Sequence, residues 1–116
     1  MITLDVLKEF GANIEEGLAR CMNNEEFYLK MVNLGMSDER FETMKEVLEN
    51  KDLEAAFEMA HALKGVLGNL ALTPIFTPVS EMTELLRART DTDYMELYRK
   101  MKEQKDRLLA LAGETA

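Results

Sequence analysis

The sequence predicts an all-α protein, an antiparallel up-and-down four-helix bundle with one or two additional N-terminal helices. Proline occurs only at Pro74 and Pro78, and no stretch alternates apolar and polar residues as a half-buried strand would. Apolar residues instead recur at spacings of three and four, which is the periodicity of an amphipathic helix. The connections between these apolar stripes are short, so successive helices should run antiparallel.

Length and charge limit the classes of function. The 116 residues suffice for one domain and are too few for two with separate cores, so residues 1–116 are predicted as a single domain. A formal net charge of −8 disfavours nucleic acid and anionic membrane as partners, and no apolar run approaches the roughly 20 residues of a membrane span. Of the partner classes considered, a protein is the one that this charge allows. The simplest expectation for the oligomeric state is a monomer.

Two features of the sequence indicate the cellular compartment of the protein. The N-terminal residues lack the basic-then-apolar order of a secretory signal. The single cysteine, Cys21, cannot form an internal disulfide, and its spacing from Ile14 and Leu18 favours a core position. A cytoplasmic location is therefore expected.

The N-terminal part predicts two segments before the bundle. Apolar residues mark a first segment over residues 4–18, with Gly11 in the middle where the helix could break. Asn23 or Asn24 can cap the next helix, because a short amide side chain accepts from free backbone N–H groups. Gly35 is expected to end that helix.

Four helices then form the predicted bundle. Ser37 is expected to cap the first and Asp52 the second, which covers about residues 52–70. The third follows Thr73, and the fourth starts around residues 90–92. Their predicted core-facing residues include Phe41, Met44, Leu48, Leu53, Ala56, Ala60, Leu63, Leu67, Leu70, Ile75, Val79, Met82, Leu86, Tyr94, Leu97, Met101, Leu108 and Leu111.

Two prolines make the third bundle helix unusual. Pro78 has no N–H to donate to the carbonyl of Pro74, four residues earlier. The first turn should therefore be distorted, or the helix should start again at Thr77.

The helix over residues 52–70 carries the residues that suggest chemistry. Glu58, His61, Gly65 and Gly68 lie opposite its apolar stripe or at the edge of it, with Lys64 at the boundary. Each glycine costs about 1 kcal/mol relative to alanine in a helix interior. Close approach of another surface to His61 would explain their presence.

His61 is the only histidine, and it is predicted to be exposed. An ordinary imidazole, with a pKa of about 6.5, is largely neutral in cytoplasm and offers a nitrogen lone pair as a nucleophile. Lys64, three residues on, could stabilise negative charge on a transferring group. Glu54 and Glu58 share this face and could join His61 as metal ligands, but a solvated helix face is the simpler interpretation. No metal and no cofactor is predicted.

The segment 60–70, AHALKGVLGNL, resembles the signature of histidine-containing phosphotransfer (HPt) domains, in which lysine and glycine follow a histidine at the third and fourth positions. The turn at residues 49–56 and the order of helices over about residues 23–111 are also similar to the family. The resemblance implies that His61 accepts and donates a phosphoryl group. It implies that Lys64 stabilises charge and that Gly65 gives a receiver domain room to approach.

The function implied by the resemblance is a phosphorelay intermediate. It would shuttle a phosphoryl group between aspartates of response-regulator receiver domains through a phosphohistidine, with receiver domains or a hybrid histidine kinase as partners. Gly65, Gly68 and Glu58 would contact the partner. The sequence contains no Walker-type loop and no kinase ATP signature, which predicts a carrier without its own ATP site. The alternative is a helical adaptor that binds a protein and never carries phosphate.

Overall fold

The computed structural model describes residues 1–114, which contain seven α-helices and no strand. The last four helices form a closed ring, in which α4 contacts α5 and α7, and α6 contacts α5 and α7. This ring is the predicted four-helix bundle, and residues 115–116 of the predicted domain lie outside the described residues. The helices are α1 (Leu4–Phe10), α2 (Ile14–Arg20), α3 (Glu25–Met36), α4 (Arg40–Glu49), α5 (Leu53–Asn69), α6 (Thr73–Arg87) and α7 (Tyr94–Leu111).

The N-terminal part is divided into three helices because Gly11 breaks the first segment. Gly11 has a φ of 103°, in the left-handed region that favours glycine, and it separates α1 from α2. Asn24 caps α3 as predicted, since its side chain accepts from the N–H of Phe27 at 3.0 Å. Gly35 does not end α3, because the helix continues through Met36.

The predicted cap of α4 at Ser37 is wrong. The Ser37 hydroxyl instead donates to the carbonyl of Asn33 at 3.2 Å and so serves the end of α3. The carboxylate of Asp38 accepts from the N–H of Arg40 at 2.9 Å. Asp38 is two residues before the first helical residue, so it reaches the free N–H groups that Ser37, one residue earlier, does not.

The starts of α5 and α7 follow from aspartate caps. Asp52 accepts from the N–H of Ala55 at 3.1 Å, as predicted. Asp93 accepts from the N–H of Met95 at 3.0 Å, so α7 begins at Tyr94 rather than at residues 90–92. In both cases a carboxylate at the N-cap satisfies a backbone donor that has no partner within the helix.

Helix α6 is continuous from Thr73 through Pro78 and does not start again at Thr77. Pro74 lies in the first turn, where its missing N–H would have no intrahelical acceptor in any case. The Thr77 hydroxyl donates to the carbonyl of Thr73 at 3.0 Å. Pro78 is buried with Val79 in the core, and this packing keeps the helix continuous despite one missing hydrogen bond.

The core of the bundle is formed by the predicted apolar stripes. On α5 these are Ala56, Ala60, Leu63 and Leu67, all fully buried. The other helices contribute residues that are equally inaccessible, among them Met44, Ile75, Val79, Met82, Leu86, Met101 and Leu108. Burying this stripe fixes the rotation of α5 about its own axis and therefore decides which residues face solvent.

The N-terminal helices pack where α5 turns into α6. The N–H of Asn13 donates to the carbonyl of Ala71 at 2.9 Å. The hydroxyl of Tyr28, a fully buried residue, donates to the carbonyl of Leu70 at 2.8 Å. Cys21 is buried, as its spacing predicted. Within residues 1–114 no helix has the length and apolar content that crossing a bilayer requires.

Candidate functional site

His61 lies on the exposed face of α5. Ala60, one residue before it, and Leu63, two residues after it, are fully buried. They hold the helix so that the imidazole faces solvent. Glu58 and Gly65, one turn away on either side, are also exposed. The prediction of an exposed histidine on a helix anchored by its opposite face is confirmed.

An aromatic ring supports the imidazole. The rings of Phe57 and His61 are stacked, with centroids 5.5 Å apart and an angle of 19° between their planes. Residues four apart on a helix share a face, so this contact is built by α5 alone. The guanidinium carbons of Arg87 and Arg89 lie 5.0 Å and 5.8 Å from the centroid of Phe57. The last residue of α6 and a residue just after it therefore place two cations against the ring that is stacked on His61.

Lys64 forms an ion pair with α6. Its ammonium nitrogen lies 3.5 Å from Oε2 of Glu84, and the lysine side chain is 30% exposed. The other carboxylate oxygen of Glu84 lies 3.5 Å from Nε of Arg87. One glutamate therefore pairs with two cations next to the histidine.

The two glycines of the motif have different surroundings. A Cβ at Gly65 would have no heavy atom within 4 Å outside its own helix, so the helix surface beside His61 is open. A Cβ at Gly68 would lie 3.2 Å from Cε2 of Phe76 on α6. Gly68 thus allows close packing of α5 against α6, whereas Gly65 leaves space for a molecule outside the bundle.

A surface cleft of about 490 Å³ includes these residues. His61, Lys64, Gly65 and Gly68 line it on α5, together with residues of α2 and α6. From α2 comes Arg20, whose guanidinium contacts Glu16 at 3.0 Å and donates to the side-chain oxygen of Asn69 at 3.3 Å. The cleft is therefore bordered by cations that are each paired with a carboxylate.

A sequence model of the Hpt domain family matches residues 32–111, which is more than half of the chain. The chain belongs to the Hpt domain family. No curated protein and no solved structure gives a significant match. Membership confirms the predicted family and gives the chain a histidine phosphotransfer role in phosphorelays, with receiver domains or histidine kinases as partners.

The Hpt match includes the whole bundle, α4 to α7, and therefore His61 and Lys64. Helices α1 and α2 precede it. Arg20 thus reaches the cleft from a part of the chain outside the family match. Among residues 1–114 no group of three or more histidine, cysteine or acidic side chains is arranged to hold a metal ion. Glu54 and Glu58 are not gathered with His61 into such a group.

Sequence reasoning missed three contacts of this candidate site. The stacking of Phe57 on His61 could have been inferred, because a spacing of four places both on one helical face. The pairing of Lys64 with Glu84 depends on how α6 aligns with α5, and the position of Arg20 depends on how α2 packs at the end of α5. Neither alignment has a local signal in the sequence.

Proposed function

We propose that this Hpt domain is a phosphorelay intermediate in which His61 takes a phosphoryl group from an aspartyl phosphate of one receiver domain and passes it to another. The observation that carries the proposal is the exposed imidazole of His61 beside the open surface at Gly65. A nucleophile on a rigid helix, with free space one turn away, suits a reaction in which the second reactant is a folded protein.

The transfer is a displacement at phosphorus. The lone pair of a neutral imidazole nitrogen, Nε2 in this proposal, forms the N–P bond. The P–O bond of the acyl phosphate breaks at the same time, and the aspartate leaves as a carboxylate. The other ring nitrogen keeps its proton, and the stacked ring of Phe57 restrains the imidazole plane. Transfer onward is the reverse displacement with a second aspartate as the attacking group.

Docking uses the face of α5 that carries His61. Gly65 allows the receiver backbone to approach, and Glu58, exposed one turn before the histidine, contacts the rim of the partner. Gly68 acts less directly, because it sets the distance between α5 and Phe76 at the floor of the cleft. Lys64 stabilises the charge of the phosphoryl group in transit, at the expense of its contact with Glu84.

The proposal describes a monomeric carrier rather than an enzyme with turnover of its own. The phosphoryl group comes from the partner, so the carrier needs neither an ATP site nor a cofactor. Residues 1–116 act as one domain, and the hydrogen bond from Arg107 of α7 to the carbonyl of Phe10 of α1, 2.7 Å long, supports this unit. The reduced, buried Cys21 suits the cytoplasm, and the net charge of −8 favours protein over nucleic acid or membrane as the partner.

A phosphotransfer profile tests the proposal. Every receiver domain of the source genome is phosphorylated in advance and mixed with the full chain or with its His61→Gln variant. We expect one or two receivers to label the unaltered chain rapidly, with a label that is lost in acid and kept in alkali, and no label on the variant. A folded chain that no receiver labels would instead indicate an adaptor.

A further inference from the structure

Glu84 stands out among the charged residues around the cleft because its two carboxylate oxygens contact different cations. Oε2 lies 3.5 Å from Nζ of Lys64 on α5, and Oε1 lies 3.5 Å from Nε of Arg87, three residues on in α6. Side chains on a helix tilt towards its N-terminus, and α5 and α6 run in opposite directions. Lys64 and Glu84 therefore lean towards each other, and their charged groups meet.

Both partners of Glu84, Lys64 and Arg87, lie close to the imidazole of His61. Lys64 lines the cleft with His61 and lies one turn from it on α5. Arg87 covers Phe57, whose ring is stacked on the imidazole. Glu84 therefore connects the lysine side and the aromatic side of His61.

A phosphoryl group on His61 would change the charges that these residues experience. It brings about two negative charges at neutral pH, and those charges repel a carboxylate and attract an ammonium. A contact between Lys64 and the phosphoryl oxygens would compete with its contact to Glu84, 3.5 Å away. The Glu84 side chain is 55% exposed, so solvent screens its charge. Each of these electrostatic interactions therefore changes the free energy of phosphorylation only slightly.

We propose that Glu84 is a positioning residue that lowers the affinity of His61 for the phosphoryl group, by competing for Lys64 and Arg87 and by direct repulsion. The inference rests on the proposed function. A carrier that bound the phosphoryl group too tightly would not release it to the next aspartate. Glu84 keeps the forward and reverse transfers comparable in free energy.

The test measures how a phosphoryl group divides at equilibrium between His61 and the receiver that labels it fastest. The full chain, Glu84→Gln and Glu81→Gln are compared at low salt. Glu81 is a matched control, because it is exposed on the same helix but lines a separate groove facing α7. We expect Glu84→Gln to raise the ratio of phosphohistidine to aspartyl phosphate about threefold to fivefold, as loss of a surface ion pair allows. Glu81→Gln should change it less than twofold.

A second comparison separates positioning from a general effect of charge. In a Lys64→Ala background, removing Glu84 should raise the ratio less than it does in the unaltered chain, because one competing cation is gone. The inference is overturned if Glu84→Gln leaves the ratio unchanged or lowers it, if Glu81→Gln has the same effect, or if the effect is undiminished without Lys64. If the unaltered chain accepts no phosphoryl group from any receiver, the proposed function itself is rejected.

Discussion

The imidazole of His61 and the ring of Phe57 are stacked one helical turn apart on α5, with centroids 5.5 Å apart. Because both residues belong to one helix, the contact does not depend on how neighbouring helices pack. It limits the orientations of the only histidine, and it links that histidine to Arg87, the last residue of α6, and to Arg89 in the following turn.

Replacing Phe57 by leucine should slow phosphoryl uptake by His61 about twofold to tenfold. An aromatic pair contributes about 0.5–1.5 kcal/mol beyond buried area, and its loss frees the imidazole to adopt unproductive orientations. Single-turnover labelling by a phosphorylated receiver measures the rate. Phe57→Tyr keeps a ring at this position and should react at nearly the unaltered rate. Equal rates for the leucine and tyrosine variants would show that stacking has no role in transfer.

Gly65→Ala should make the chain more stable and at the same time slower in transfer. Alanine is favoured over glycine in a helix interior by about 1 kcal/mol, and the added Cβ meets nothing in the free protein. The same Cβ would lie on the surface that a receiver approaches. Urea unfolding and single-turnover labelling measure the two effects.

Gly68→Ala provides the comparison for Gly65→Ala, because its Cβ would press against Phe76 at 3.2 Å. We expect this variant to gain less stability than Gly65→Ala, since the crowding offsets the better helix propensity. A Gly65→Ala chain that transfers at the unaltered rate would contradict the docking role of this surface.

Gly17→Ala should destabilise the protein by about 1–3 kcal/mol. A Cβ at this position of α2 would lie 2.6 Å from three atoms of the Tyr28 side chain, two in its ring and the hydroxyl oxygen, and that side chain is fully buried. Either α2 or Tyr28 must move, which weakens the attachment of the N-terminal helices. Gly65→Ala is the control, because it makes the same exchange in a helix where space is free. A Gly17→Ala chain as stable as the unaltered one would show that α2 shifts without cost.

Stability should fall in alkali because of Tyr28. Burial raises the pKa of its hydroxyl to about 12, from an ordinary value of about 10. A pKa that is higher in the folded state means that folding favours the protonated form. The resulting stabilisation is fully present below pH 10 and is lost as the pH rises towards 12. Urea unfolding at a series of pH values should show this decline.

Tyr28→Phe tests the origin of the alkaline loss. The variant should be about 1 kcal/mol less stable at neutral pH, because the carbonyl of Leu70 loses its donor. Its stability should then fall less steeply between pH 10 and 12 than that of the unaltered chain. Some decline should remain, since burial also raises the pKa of Tyr98. If stability falls equally steeply with pH in the two chains, groups other than Tyr28 cause the loss of stability in alkali.

Local features of the sequence determined most of the fold. The spacing of apolar residues fixed the buried face of α5 and so the exposure of His61, because a helix with one apolar stripe has only one way to bury it. Asp52 capped its helix as predicted, since an N-cap acts on N–H groups three residues away. The histidine, lysine and glycine of the motif lie on one helix, and their family was predictable for the same reason.

Only the tertiary structure decided which charges surround His61. The pairing of Lys64 with Glu84 bridges residues 20 apart in sequence, and the contact of Arg20 with Asn69 bridges 49. Gly68 belongs to the same motif as Gly65, but the position of Phe76 gives it a packing role. These relationships depend on the axial position of one helix relative to its neighbour. That alignment results from the packing of the whole core rather than from any local run of residues.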